Sequence, residues 1–261
     1  MGIRLYEPLA LNSLKCGLST AWGAGCETLS IDDQQGTDYA IVAIPIAGFV
    51  QPSLFIDMMT SCATQTLFLP GAGGSASFWK PVADLAGLDG VFFGWPGLGD
   101  EPANPQVNGL DDLVDMVLDH VREPVNIVAQ SMGGLIAIRL ALARPMMVKR
   151  LVLVVTSGGV PVADLGGSDW RADYFAAYPG AASWIAHPTE DLSDRIPSID
   201  AAALLIWGDN DPISPIAVGE RLSALFPNAQ LCIIPGADHD LAQTHAEIVA
   251  NMIERHLSAA M

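Results

Sequence analysis

Three short stretches of this 261-residue chain carry side chains able to do covalent chemistry together. The first is N-I-V-A-Q-S-M-G-G-L, Asn126 to Leu135, which sets Ser131 between small residues, Ala129 two positions before it and Gly133 two after. A serine at a sharp strand-to-helix turn is held in a strained backbone conformation that only small neighbours permit, and its Oγ then stands free to attack. The familiar text G-x-S-x-G has glycine where Ala129 stands, yet a methyl group still meets the steric demand. The competing account is a serine that caps the helix starting near Met132.

A nucleophilic serine needs a base, and the base needs a carboxylate to orient it. L-L-I-W-G-D-N-D-P-I-S-P, Leu204 to Pro215, places Asp209 and Asp211 in a loop after a strand, and I-I-P-G-A-D-H-D, Ile233 to Asp240, places His239 after the last strand. Each aspartate has an alternative as a turn residue, since Asp before Gly, Asn or Pro starts turns. For His239 the alternative is a solvated loop histidine between Asp238 and Asp240. A fourth stretch, L-F-L-P-G-A-G-G-S (Leu67 to Ser75), follows a strand directly with glycines that let backbone approach a substrate. Acyl transfer needs backbone N–H donors at the developing oxyanion, and Ala72 and Met132 are the residues positioned to supply them. A phosphate-binding reading of this loop fails on the missing Lys-Ser/Thr pair and on the absence of G-x-G-x-x-G with a ribose-binding acid beyond it.

The elements around these residues alternate. Strand-like runs at Thr66–Leu69, Gly90–Trp95, Val125–Ala129, Arg150–Val155, Ala203–Trp207 and Leu231–Ile234 are continuously apolar, as strands buried on both faces are. Between them, Leu110, Leu113, Val114, Val117, Leu118 and Val121 form one helical stripe, with Asn108 as the expected N-cap and Asp111 and Asp112 in the first turn. Ser214-Pro215 reads as N-cap and N1 of a helix to about Phe226, and Leu241 to Leu257 as a last helix. The expected fold class is α/β, a mostly parallel sheet flanked by helices. Residues 65–156 and 201–258 make its core, and residues 157–200 form an inserted lid of short helices. Residues 1–64 are less regular: Tyr39 to Val50 is strand-like but interrupted by Pro45 and Gly48. This segment is either an edge hairpin or an extension upstream of a start at Met58 or Met59.

Composition narrows the function classes. The chain is 51% hydrophobic and 16% charged, enough to bury one sizeable core. Twelve Lys and Arg against 29 Asp and Glu give a net charge of -17, which repels nucleic acid and anionic membranes. Cys16, Cys26, Cys62 and Cys232 lie far apart with no ligand-spaced histidines, so neither a zinc site nor a disulfide framework is expected. The N-terminus lacks a signal-type apolar core and no apolar run is long enough to span a bilayer, which predicts a soluble, cytoplasmic protein.

Taken together, PGAGG, the F-x-G-W-P-G-L-G-D turn from Phe92 to Asp100, AQSMGG, the DLSDRIPSIDAAALLIWGDNDPISP block and PGADHD resemble the α/β-hydrolase superfamily over about residues 65 to 258. The chain order Ser, Asp, His is that of the family's triad. The resemblance implies Ser131, Asp211 and His239 as triad, preferring Asp211 to Asp209 because the family's acid stands just before proline. It departs from the family at Pro70, Ala129 and Asp238, none of which removes a catalytic atom. Serine rather than aspartate at 131 argues against dehalogenase or epoxide-hydrolase chemistry. The implied activity is hydrolysis of small or short-chain carboxylic esters without a cofactor or metal, because a lid of some 40 residues encloses little. Phe78, Trp79, Trp170, Tyr174 and Trp184 are the expected apolar lining. Two rivals are a C–C hydrolase or lyase, for which Arg139, Arg171 and Arg195 are the candidate anion receptors, and a non-catalytic binding protein, which would have lost a triad member.

Overall fold

The computed structural model describes residues 27–32, 38–43 and 64–259, and the chain divides into two compact units, Met1–Ala63 and Thr64–Met261. In the first unit, β1 (Glu27–Asp32) and β2 (Asp38–Ala43) pair antiparallel as a two-stranded sheet. Pro45, Gly48, Met58 and Met59 lie outside the described residues.

The second unit alternates strands and helices in chain order. They are β3 (Thr66–Leu69), α1 (Lys80–Ala86), β4 (Gly90–Phe92), α2 (Leu110–Leu118), β5 (Val125–Gln130), α3 (Met132–Ala143) and β6 (Val148–Val154). After these come α4 (Arg171–Ala177), β7 (Ala202–Gly208), α5 (Ile216–Leu225), β8 (Ala229–Ile234), α6 (Leu241–Thr244) and α7 (Ala246–Ser258). The sheet order is β4-β3-β5-β6-β7-β8, and every neighbouring pair runs parallel. All six strand candidates are strands, with ends that move by no more than a few residues. The inner strands are buried on both faces, every residue of β3 and β5 included, which is why their sequences run apolar without alternation.

Helices flank this sheet; α1 packs against α7 and α2 against α3. Helix α3 is buried nearly all round, through Leu135, Ile136, Ala137, Ile138, Leu140 and Ala141. Burial of that kind marks a helix inside the core rather than on its surface. Truncating one of its fully buried leucines or isoleucines to alanine costs about 2–5 kcal/mol.

Two expected caps are corrected. Helix α2 starts at Leu110 with extended Gly109, not Asn108, as its N-cap residue. Asn108 gives its side-chain amide to the Pro105 carbonyl, while its backbone N–H is taken by the Asp112 carboxylate at 2.6 Å. Helix α5 starts at Ile216, and Ser214 turns its hydroxyl to the Thr156 carbonyl at 3.2 Å. The last helical stretch is broken at His245, which separates α6 from α7. Between β6 and β7 the chain runs through α4 and three 3-10 turns, Val162–Leu165, Ser183–Ala186 and Ile196–Ser198. Among the described residues no helix is long and apolar enough to cross a membrane.

Candidate active site

Ser131 sits between β5 and α3 with φ 50° and ψ -121°, in the left-handed half of backbone space that a non-glycine residue occupies only under strain. Such a residue costs on the order of 1–3 kcal/mol, so the surroundings must hold it. Its N–H continues the parallel ladder to the Val154 carbonyl at 3.0 Å. Its own carbonyl accepts the Gly134 N–H at 3.0 Å and the Thr156 hydroxyl at 2.5 Å. A Cβ at Gly133 would run into the Leu69 and Pro70 carbonyl oxygens, and one at Gly134 into the Thr156 side chain. Ala129 is fully buried, in register with Leu69 of β3 and Leu153 of β6. The methyl group there is accommodated within the sheet.

His239 lies in the loop after β8, and its Nε2 stands 3.0 Å from Ser131 Oγ. On the other side of the ring, Nδ1 is 2.8 Å from Asp211 Oδ2. Asp211, its side chain fully buried, also accepts at Oδ1 the backbone N–H groups of Ile213 (2.8 Å) and Ser214 (3.0 Å). With the carboxylate as acceptor, Nδ1 carries the ring proton, and Nε2 is left to accept from the serine hydroxyl. Asp209 does something else: its Oδ1 takes the Gly236 N–H at 2.5 Å. Asn210 adds a bond from its N–H to the Ala237 carbonyl at 2.9 Å, so the loops after β7 and β8 are fastened together beneath the histidine.

The glycine-rich loop is fixed from behind by two indoles. Trp79 Nε1 donates to the Leu69 carbonyl and Trp95 Nε1 to the Pro70 carbonyl, both at 2.9 Å. Gly71 packs against Ser131 Cβ and the Gln130 side-chain oxygen. This brings Ala72 beside the elbow, and both Ala72 and Met132 border the cleft. Among the described residues neither residue's amide has a backbone acceptor, since Met132 is the first residue of its helix and Ala72 lies in a loop.

The cleft over Ser131 holds about 1710 Å³ and is bordered by Phe78, Trp170, Tyr174 and Trp184 among others. Trp79 is corrected: it is 1% exposed, lies behind the loop rather than on the cleft, and uses its N–H to hold Leu69. Tyr174 borders the cleft but spends its hydroxyl on backbone, donating to the Ala72 carbonyl at 2.7 Å and accepting the Gly99 N–H at 3.0 Å. Burial raises its phenol pKa above the usual value. Trp184 Nε1 is buried with no hydrogen-bond partner among the described residues.

The rim is acidic. Arg139 and Arg171 border the cleft, but Arg139 is paired with Asp111 at 2.5 Å and Arg171 with Asp169 at 2.9 Å. The Arg171 backbone N–H, with its guanidinium, holds the Asp169 carboxyl below the usual range; the Ser193 hydroxyl and N–H do the same for Asp191. Asp173, Glu190, Asp191 and Asp240 add further carboxylates, while Arg195 is not part of the lining. Among the described residues no three His, Cys, Asp or Glu side chains are grouped to hold a metal ion.

Gln130 is a residue of this site that the sequence left unnoticed. It is buried, and its side-chain amide reaches the His239 carbonyl at 3.3 Å. A polar residue inside an otherwise apolar buried strand, next to the nucleophile, is the signal that points to it.

The comparisons with known proteins agree with this fold. A model described as "Alpha/beta hydrolase family" matches residues 66–195, and one described as "alpha/beta hydrolase fold" matches residues 157–246. The chain belongs to the α/β-hydrolase superfamily. It is 28% identical over 238 residues to a 2-hydroxy-6-oxononadienedioate/2-hydroxy-6-oxononatrienedioate hydrolase of Cupriavidus pinatubonensis, covering 70% of this chain and 82% of the relative. It is 25% identical over 209 residues to a pimeloyl-(acyl-carrier protein) methyl ester esterase of Chromobacterium violaceum, covering 62% and 81%. Among solved structures, the meta-cleavage product hydrolase CumD of Pseudomonas fluorescens IP01 superposes with a TM-score of 0.60 at 20% identity, over 74% of this chain and 90% of that one.

Proposed function

We propose that the protein is a serine hydrolase of carboxylic esters that works through an acyl-enzyme on Ser131. The observation that carries this is the unbroken relay Ser131–His239–Asp211, two hydrogen bonds of 3.0 and 2.8 Å, beneath an open cleft. His239 Nε2 takes the Oγ proton as Oγ attacks the ester carbonyl, and Asp211 stabilises the imidazolium. The Ala72 and Met132 amides receive the oxyanion, a contribution worth about 3–4 kcal/mol per donor in comparable sites. The imidazolium then protonates the departing alkoxide, leaving the acyl group on Ser131. Water, deprotonated by the same Nε2, releases the acid and restores the serine.

A C–C hydrolase is the second reading, because the relative from C. pinatubonensis bears such a name. A dienedioate carries two carboxylates, which need cationic partners. Here both arginines on the cleft are already paired with aspartates, so the ester reading fits the electrostatics better. A fluorophosphonate probe with peptide mapping, run beside a nitrophenyl ester series from acetyl to long acyl chains, tests the proposal. The expected result is an adduct on Ser131 together with ester turnover; an adduct without turnover of any ester would move the assignment to C–C chemistry.

A further inference from the structure

The hydroxyl of Tyr174 lies where three segments meet. It is carried by the lid helix α4, donates to the carbonyl of Ala72 at 2.7 Å, and accepts the N–H of Gly99 at 3.0 Å. Gly99, with φ 56°, lies so close to the Gly73 carbonyl that a Cβ would overlap it, so the turn after β4 supports the glycine-rich loop from its other side. A second bond from lid to turn runs nearby, from the Ala182 N–H to the Gly97 carbonyl at 2.8 Å.

The geometry points to Tyr174 as a positioning residue that makes the oxyanion site depend on a docked lid. Ala72 follows Gly71, whose carbonyl accepts the Gly74 N–H at 3.1 Å and so holds the peptide carrying the Ala72 N–H, while the next peptide, between Ala72 and Gly73, has no backbone bond among the described residues and is left free to rotate by its glycine. Among the described residues its carbonyl is held by one donor, the Tyr174 hydroxyl. The hydroxyl thus holds the second of the two peptides that meet at Ala72, and together with the turn bond on the first it sets the backbone angles that aim the Ala72 N–H, one of the two oxyanion donors of the proposed mechanism. An oxyanion donor acts through preorganisation, so a donor free to rotate stabilises the transition state less without changing how substrate binds. When α4 lifts, Ala72 keeps the turn bond and loses the second of its two anchors; when it docks, both are in place. The lid then assembles the site as well as covering it.

This inference rests on the ester-hydrolase reading, and its test separates the two. Tyr174→Phe keeps the ring and its packing against Trp170, Phe175 and Tyr178 and removes only the hydroxyl. With the best nitrophenyl ester, kcat is expected to fall about tenfold with KM within about twofold, the pattern of an interaction lost in the transition state. An alkyl trifluoromethyl ketone, whose adduct on Ser131 bears the oxyanion, should weaken by the same factor, while the corresponding alcohol binds as before. Phe175→Leu trims one ring of α4 while leaving the Tyr174 hydroxyl and its bonds to Ala72 and Gly99 in place, and should leave the ketone affinity unchanged. Unchanged kcat in Tyr174→Phe, a rise in KM alone, or equal loss of ketone affinity in Phe175→Leu would each overturn the role given to the hydroxyl. Absence of ester turnover in the wild-type protein would instead overturn the reading beneath it.

Discussion

The side-chain amide of Gln130 donates to the backbone carbonyl of His239, so the residue immediately before Ser131 holds the loop that carries His239. Gln130 is 4% exposed at the end of β5, and its side-chain oxygen faces Gly71. One buried amide thus touches the nucleophile strand, the oxyanion loop and the histidine loop.

Replacing it by alanine should therefore act on rate as well as on stability. Loss of a buried hydrogen bond with an acceptor left unpaired costs about 1–3 kcal/mol. Gln130→Ala is expected to lower kcat/KM about tenfold through misplacement of His239, on the scale at which small displacements in a catalytic constellation are felt. Thermal melting and steady-state kinetics on the same preparation check both halves, and an unchanged kcat would show that the histidine loop holds its place alone.

The two aspartates after β7 separate by role. Asp211→Asn should lower kcat by about ten-thousandfold, because the amide favours the wrong imidazole tautomer. Asp209→Ala removes only the acceptor for the Gly236 N–H. It should cost about 1 kcal/mol of stability and leave kcat within about tenfold of the wild type. Equal losses in the two variants would mean that the fastening of the loops, not the carboxylate on His239, limits the reaction.

Much of this was legible in the sequence because the relevant constraints are local. The small residues around Ser131 are demanded by a turn of a few residues, whereas Asp211 is preferred to Asp209 because the family it resembles has its acid just before proline. What was not legible depends on partners distant in the chain. Trp79 stands beside the oxyanion loop whether its indole faces the cleft or the core, and only the Leu69 carbonyl ten residues earlier decides for the core. Tyr174 borders the cleft as an aromatic lining residue would, but the place of its hydroxyl on Ala72, 102 residues away, is visible only in the fold. Asn108 was chosen as a cap by residue type, whereas the helix start is set by Gly109 in an extended conformation.

Substrate charge should matter in a definite direction. The arginines on the cleft are paired, the rim further carries Asp173, Glu190, Asp191 and Asp240, of which Glu190 faces Arg195 at 3.8 Å, and the whole chain carries a net charge of -17. For nitrophenyl esters of matched size, kcat/KM should be about tenfold lower for an anionic acyl group than for a neutral one at low ionic strength. The gap should close as salt shortens the Debye length to about 8 Å or less, since these carboxylates are exposed. Preference for the anionic ester at low salt would restore the dicarboxylate substrates of the C–C hydrolase reading.

The C-terminal helix makes stability depend on pH in a way unconnected with the triad. His256 on α7 is half-buried, with Nε2 against the Ala202 carbonyl at 3.2 Å, and Arg150 of β6 lies beside it. Burial, and then the Arg150 charge, depress its pKa below the ordinary histidine value of 6.5. Above that value both folded and unfolded chains hold this ring neutral, and its contribution is fully present. As pH falls below it the unfolded chain takes up the proton first, so stability declines until the folded-state pKa is passed. His256→Gln keeps a polar group at the position but removes the titration. Between pH 7 and pH 5 its melting temperature should fall less than that of the wild type, measured by differential scanning calorimetry in buffers of equal ionic strength. Parallel curves for the two proteins would show that carboxylates alone account for the acid sensitivity of the fold.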